Sequence, residues 1–476
     1  MLRSYFGWGV LAAVCLGMAF AVRPAPPGSP EEREAIREGR TVVLYWDRHS
    51  GHEHQARVEL IAEYNQSQGV EDGVYVRALP IGYNVLMEKM LTSIAAGSPP
   101  DICSMDTAIL AQLAAQGCFS PLGDFIATEP ELQEDRFLPH AWRMVHFRGF
   151  DAASERWVED TWGIPTSTDT YCLLWNKDAF RKAGLDPERP PQTLDELEEY
   201  AAKLTVHGDT GIEQFGFVPW FPWDLTHMWG GLFGGEWYDP ETGAATCADN
   251  PGIIASLAWQ RRFAIDPNAS EQSPIAIDPA RTQSFERMGA YQSANNPFYT
   301  GKVAMIVEGE WQVTFTAKYA PDLDWGVAPI PQPEGVEPLM YGPTSVADAI
   351  PAGARHREAA LKFLRWFYRT RPDGSPSPAS DYSLAIHNIP PRRAEAMHER
   401  FTGNPKFKVF VEGLIDREVV QYPVNPVTQF FLDQMSSNRE YVIRYEKTPE
   451  QAARDIQDVA NAALKDDPYI EPEVAQ

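Results

Sequence analysis

From Thr41 to Gly117 the chain alternates short β-branched and aromatic runs with longer amphipathic ones, and this rhythm constrains the fold more than any other feature. Thr41-Val42-Val43-Leu44-Tyr45-Trp46 reads as a buried strand. A polar turn, Asp47 to His54, leads into a helix with Val58, Leu60, Ile61 and Tyr64 on its apolar side. Val74-Tyr75-Val76 begins a second strand, and Tyr83 to Ala96 a helix ended by Gly97-Ser98-Pro99-Pro100. Asp101 to Met105 is a third strand, and Thr107 to Gln116 a helix stopped by Gly117. Strand and helix in regular succession predict a parallel α/β sheet.

The alternation returns further on. Tyr171 to Trp175 and Lys302 to Val307 read as strands; Thr193 opens a helix carrying Leu194, Leu197 and Leu204. Arg357 to Tyr368 and Pro449 to Leu464 are amphipathic helices, and residues 371–383 read as a surface insertion. A chain of 476 residues can bury two or three full cores. Two α/β blocks predict two lobes with a ligand cleft between them, because open parallel sheets bind at the carboxyl ends of their strands.

The N-terminus has its own logic. Arg3 precedes an uncharged, mostly apolar stretch from Ser4 to Val22, with Ala19-Phe20-Ala21 as an A-x-A cleavage site. Residues 1–21 therefore read as an export signal, or as an uncleaved anchor, since the stretch is just long enough to span a bilayer. Lipidation at Cys15 is weaker, because Val14 is bulky where a small residue is needed. Residues 22–40 read as a linker with one short helix, capped by Ser29, started by Pro30 and stopped by Gly39. In an exported protein Cys103 and Cys118, flanking one predicted helix, can pair. The net charge of −25 repels nucleic acid and anionic membranes and favours neutral or cationic ligands.

Between Trp220 and Trp237 four tryptophans (Trp220, Trp223, Trp229, Trp237) fall among Gly230, Gly231, Gly234 and Gly235. Glycine weakens a helix, so the segment reads as a loop-borne aromatic wall. Such a wall suits a sugar, whose C–H face stacks on indole while its hydroxyls need polar partners at the rim. Trp237 is expected to pack internally.

The order of several segments resembles extracellular solute-binding proteins of the sugar type, the maltose-binding-protein-like group that serves ABC importers. The resemblance is carried by Asn84 to Lys89, Ala95 to Ile102, Leu113 to Gly117, Gly163-Ile164-Pro165, Leu174 to Asp178, Pro191 to Leu197 and Gly301 to Met305. Gly309-Glu310-Trp311 and Asp324 to Pro329 complete it. It implies a two-lobe periplasmic-binding-protein-like α/β fold closing like a hinge. Crossovers would lie near Pro165–Thr170, Met340–Thr344 and His387–Pro391. Lobe one would be 41–166 plus 345–387, and lobe two 167–344 plus 388–476. It further implies a monomer that captures a carbohydrate for ABC permease subunits, with no cofactor and no resident metal. The chain has no G-x-x-x-x-G-K-S/T loop, so transport energy comes from a separate ATPase.

Site residues follow from the same match. After the first strand come Trp46, Asp47 and His49; after the third, Met105 and Asp106, the latter also a helix cap. Asp169 and Tyr171 lie past the first crossover, on one face if strand alternation holds. Trp311 is the stacking tryptophan, with Glu310 as an acceptor beside it. Trp220, Trp223 and Tyr341 join them, with Gln429 and Asn425 as weaker additions. His49, His52 and His54 lack a fourth ligand at metal spacing. A rival hydrolase reading pairs Glu308 with Glu310, but two acids on one strand face cannot flank a glycosidic bond. A tethered sugar sensor, or a polyol or polyamine ligand, stays open, as does the role of residues 250–297.

Overall fold

The computed structural model describes residues 28–209, 211–280, 282, 293–342 and 345–466. The export segment 1–21 lies outside them. The linker helix forms at Pro30–Arg37, with the Ser29 hydroxyl accepting from Glu32 N–H. It docks on the first sheet, since Ala35 is buried and Glu32 pairs with Arg77 at 3.0 Å.

Two sheets organise the molecule. The first has the order Val74–Pro80, Thr41–Asp47, Ile102–Asp106, Ser345–Ala349, Ile164–Thr168. Its first three strands are parallel, as the alternation predicts, and the last two run antiparallel to their neighbours. The second sheet departs from the expected parallel form: Tyr171–Asn176 lies between Met305–Gly309 and Trp325–Ala328, antiparallel to both. Both sheets carry helices on buried faces, so the fold is α/β with two lobes. Each has its own core, one around Val43, Ile61, Leu110 and Phe363, the other around Leu174, Phe217, Trp229, Ile306 and Phe410.

Where the chain passes between sheets its segments lie side by side. Thr168 and Ile389 exchange backbone hydrogen bonds of 2.8 and 3.1 Å. Ser345 pairs with Thr168, and Leu339–Tyr341 runs parallel to Glu418–Val420. The lobes also touch through apolar contact, with Ala108 and Met144 against Tyr422.

Three expectations are corrected. Residues 371–383 are not a surface insertion: Ser377 caps a helix, Pro378–Ala385, whose Tyr382 is fully buried. The Trp220–Trp237 stretch contains a helix, Thr226–Leu232. Its glycines serve close packing, since a Cβ on Gly230 would lie 2.5 Å from Trp237 and one on Gly231 2.1 Å from Val420. Cys103 and Cys118 do not pair; both are free, buried thiols, near the carbonyls of Ser104 and Gln116 respectively. Within 250–297, Asn250 caps an eleven-residue helix, Pro251–Arg261. No described helix is long and apolar enough to cross a membrane.

Candidate functional site

The strand Met305–Gly309 delivers its last residues to the crossovers, and there the rings converge. The Trp311 ring stands edge-on to Tyr171 at 5.4 Å and to Trp223 at 6.4 Å, both near perpendicular. Tyr171 reaches Tyr341 at 5.6 Å, and Tyr341 meets His227 at 5.1 Å. His227 in turn faces Tyr422 at 5.9 Å. The turn that carries Trp311 requires glycine at 309, because a Cβ there would sit 2.3 Å from the indole. Perpendicular rings leave edges and faces available together, the geometry that aromatic quadrupoles favour.

Carboxyls line this cluster. Glu308 is fully buried and accepts from Trp223 Nε1 at 2.7 Å and from Gly309 N–H at 3.1 Å. Burial pushes it up to about 7, opposed by the Trp223 and Gly309 donors. Glu310 accepts from Thr170 N–H at 3.0 Å and from Asn388 Nδ2 at 2.9 Å. The same Asn388 amide donates to Asp169. Burial, and then the Asp169 charge, hold Glu310 well above the ordinary carboxyl range. The Tyr341 hydroxyl, His227 Nε2 and Trp311 Nε1 are buried without a protein partner. Burial also keeps His227 neutral, lowering it to about 4 against the pull of Asp224.

The structure thus brings Asp169, Tyr171, Trp223, Glu310, Trp311 and Tyr341 together. The strand ends at Gly309 and begins at Tyr171, so alternation governs neither pair: Glu308 turns to the indoles while Glu310 and Asp169 turn to Asn388. Asp106 joins from the other lobe, capping Thr107–Ala115 through Ala108 N–H and accepting from the Tyr422 hydroxyl at 3.1 Å. Tyr422→Phe removes that link between lobes, and we expect about a fivefold loss of ligand affinity by calorimetry, the worth of one hydrogen bond.

Other expected positions lie elsewhere. Asp47 is fully buried, accepting from His49 N–H at 3.2 Å, 2.9 Å from His54 Nδ1 and 3.5 Å from Arg57, so its oxygens are engaged inside lobe one. His49 lies 2.7 Å from the Tyr382 hydroxyl. Met105 packs in the first core, and Trp46 packs half-buried against it. Trp220 bonds Thr282 at 3.1 Å and lines, with Arg439, a cavity of about 300 Å³ that Trp223 of the ring cluster also borders. Gln429 donates to Asp433 on its own helix. Asn425 caps its own turn through Val427 N–H, at the edge of a groove of about 970 Å³ that also includes Tyr422, Trp157 and Tyr238. Among the described residues no group of three His, Cys, Asp or Glu is arranged to hold a metal ion.

Sequence reasoning missed Asn388, His227 and Tyr422. Asn388 falls inside the third expected crossover and His227 between two singled-out tryptophans, so position was the available signal. Tyr422 had none.

The sequence profile described as bacterial extracellular solute-binding protein matches residues 53–372. A binding protein of Brucella abortus (strain 2308) is 24% identical over 404 residues, covering 83% of this chain and 86% of its own. The sn-glycerol-3-phosphate-binding periplasmic protein of Escherichia coli K12 is 29% identical over 167 residues, 35% of each chain. Among solved structures, mannotriose-bound CpMnBP1 superposes with a TM-score of 0.70 at 27% identity, covering 88% of this chain and all (100%) of that one.

Proposed function

This chain belongs to the bacterial extracellular solute-binding proteins, exported components of ABC transporters, and from that premise we propose that it captures a neutral carbohydrate between its lobes and hands it to a membrane permease. One observation carries the reading: a wall of perpendicular rings at the crossovers, interleaved with buried polar atoms that no protein group satisfies. A sugar supplies C–H faces for Trp311, Trp223 and Tyr171, and hydroxyls for Tyr341, His227 and Asp169. Leaving the Tyr341 and His227 polar atoms unpaired in a dry site costs about 1–3 kcal/mol each, which a matching hydroxyl recovers. The lobes divide at 41–166 plus 345–387 and 167–344 plus 388–476, and closing them over the ligand excludes water and strengthens each polar contact.

The mannotriose-bound structure supports a sugar. The Escherichia coli relative raises a phosphorylated ligand instead. Against it stands negative charge at the rings, from Asp169 beside Glu310 and from Glu308 when ionised, which would repel a phosphate dianion. Those acids also do not flank a common space as a hydrolase requires, since Glu310 and Asp169 share one amide.

Calorimetry against neutral oligosaccharides, polyols, polyamines and sn-glycerol 3-phosphate tests this. The expected result is saturable binding of a neutral carbohydrate, recovered intact after long incubation. Binding confined to polyamine or phosphate overturns the carbohydrate assignment, and appearance of hydrolysis products overturns the binding-protein role.

A further inference from the structure

Glu308 stands out in the ring cluster because nothing in a simple stacking wall calls for a buried acid behind it. It has no exposed surface. Among the described residues it has no ion-pair partner within 4.0 Å, a setting in which a carboxylate ordinarily takes up a proton. Its hydrogen-bonding neighbours are instead donors, Trp223 Nε1 at 2.7 Å and Gly309 N–H at 3.1 Å. Both favour the ionised form, whereas Oε2, where a proton would sit, has no acceptor beside it. The carboxyl therefore holds one indole, Trp223, whose ring meets that of Trp311, from a distant part of the chain, at 6.4 Å and 89°.

We propose that Glu308 is a positioning residue for the ligand wall, holding the Trp223 indole against Trp311 when ionised and releasing it when protonated.

The surroundings leave Glu308 free to play this part. Cys172 lies directly opposite it in the strand pair, and burial keeps that thiol protonated. Tyr299 faces it from the segment before the strand, its phenol pushed up by burial and by the Glu308 charge. Glu310 follows two residues on, held by Thr170 and Asn388. Asp224, next to Trp223, is engaged by Arg439 at 2.8 Å. The sign follows. Above neutral pH the carboxylate accepts charge-assisted bonds, about twice as strong as neutral ones, and the indole pair is ordered. On acidification the acid form accepts more weakly and the rings loosen.

The near-ultraviolet circular dichroism of the ligand-free protein tests this between about pH 5.5 and 8.5, a window in which ordinary carboxyls do not titrate. Wild type should show a transition near neutrality, and Glu308→Gln should be flat, resembling the acid limit of wild type. Trp223→Phe should lose most of the amplitude. Carbohydrate affinity, which rests on the functional reading above, should fall about fivefold on acidification in wild type and not in Glu308→Gln. Identical spectral titrations of wild type and Glu308→Gln overturn the proposal. So does a transition that persists in Glu308→Gln and vanishes in Glu310→Gln, which would assign it to the crossover carboxyls. A normal spectral transition in a protein that binds no sugar at any pH leaves the clamp standing and removes the carbohydrate reading instead.

Discussion

Trp311→Ala should weaken carbohydrate binding by about 2–3 kcal/mol, roughly thirty- to a hundredfold, the loss seen when a central aromatic anchor is truncated. Two contributions add. The stacking face itself disappears, and so does the plate against which Tyr171 and Trp223 hold their perpendicular poses. Because Trp311 is nearly buried, at 9% exposure, its removal also opens a cavity, and we expect melting to fall by several degrees with secondary structure intact. Trp311→Phe should recover much of the stability and only part of the affinity. Gly309→Ala gives an independent check without touching the indole. The added methyl would meet the ring at 2.3 Å, so the indole must swing away and affinity should fall as in Trp311→Ala. Calorimetry on the three variants decides it: a Trp311→Ala protein binding within twofold of wild type removes this ring from the site.

That site was half legible in the sequence, for a physical reason. Trp311, Tyr171 and Asp169 sit at ends of strands, where local pattern and chain position both point. The turn after the first strand sits equally at a strand end, yet its acid points inward. What separates Asp47 from Asp169 is the partner each meets: Arg57, on the buried side of the next helix, for one, and Asn388, far along the chain, for the other. The tryptophan cluster misled in the same way. Its glycines looked like turn residues, whereas Gly230 and Gly231 let helix Thr226–Leu232 pack against Trp237 and Val420. Local composition could not tell freedom from close approach. The first sheet's three leading strands emerged correctly because hydrophobic rhythm is local. The antiparallel return of Ser345–Ala349 and the reversed second sheet are set by contacts between residues more than a hundred positions apart.

Arg57→Met should destabilise the protein by about 3–5 kcal/mol at neutral pH, because it removes one charge from a buried group and strands the others. The helix Gly51–Gln66 turns Arg57, not only its apolar residues, toward the core. The guanidinium lies 3.7 Å over the Tyr382 ring and 4.9 Å from Tyr45. It is 3.5 Å from Asp47 and 3.8 Å from Asp348. Tyr45 donates to Asp348 at 2.5 Å, and the Tyr368 hydroxyl lies 2.8 Å from its other oxygen. Burial by itself would raise Asp47, yet Arg57, His49 and His54 hold it well below its usual range. Burial raises Asp348 even with Arg57 opposing. In wild type the ionised Asp47 adds stability above its unfolded value of about 3.9, lost as pH falls through its depressed folded value. Without Arg57 both acids would rise above their unfolded values, so the variant's penalty is full at neutral pH and shrinks on acidification. Thermal melts of wild type and Arg57→Met should therefore diverge at pH 7 and approach each other toward about pH 5. Arg57→Met combined with Asp348→Asn should restore part of the loss. A gap that stays constant across that range would mean the arginine acts by filling space over Tyr382, not by balancing charge. The cluster binds the turn after the first strand to helix Pro378–Ala385, which leads directly into the crossover at Ile389. Loosening it should thus also lower ligand affinity, although the rings Arg57 touches are those of Tyr45, Phe367 and Tyr382, not the ones around Trp311.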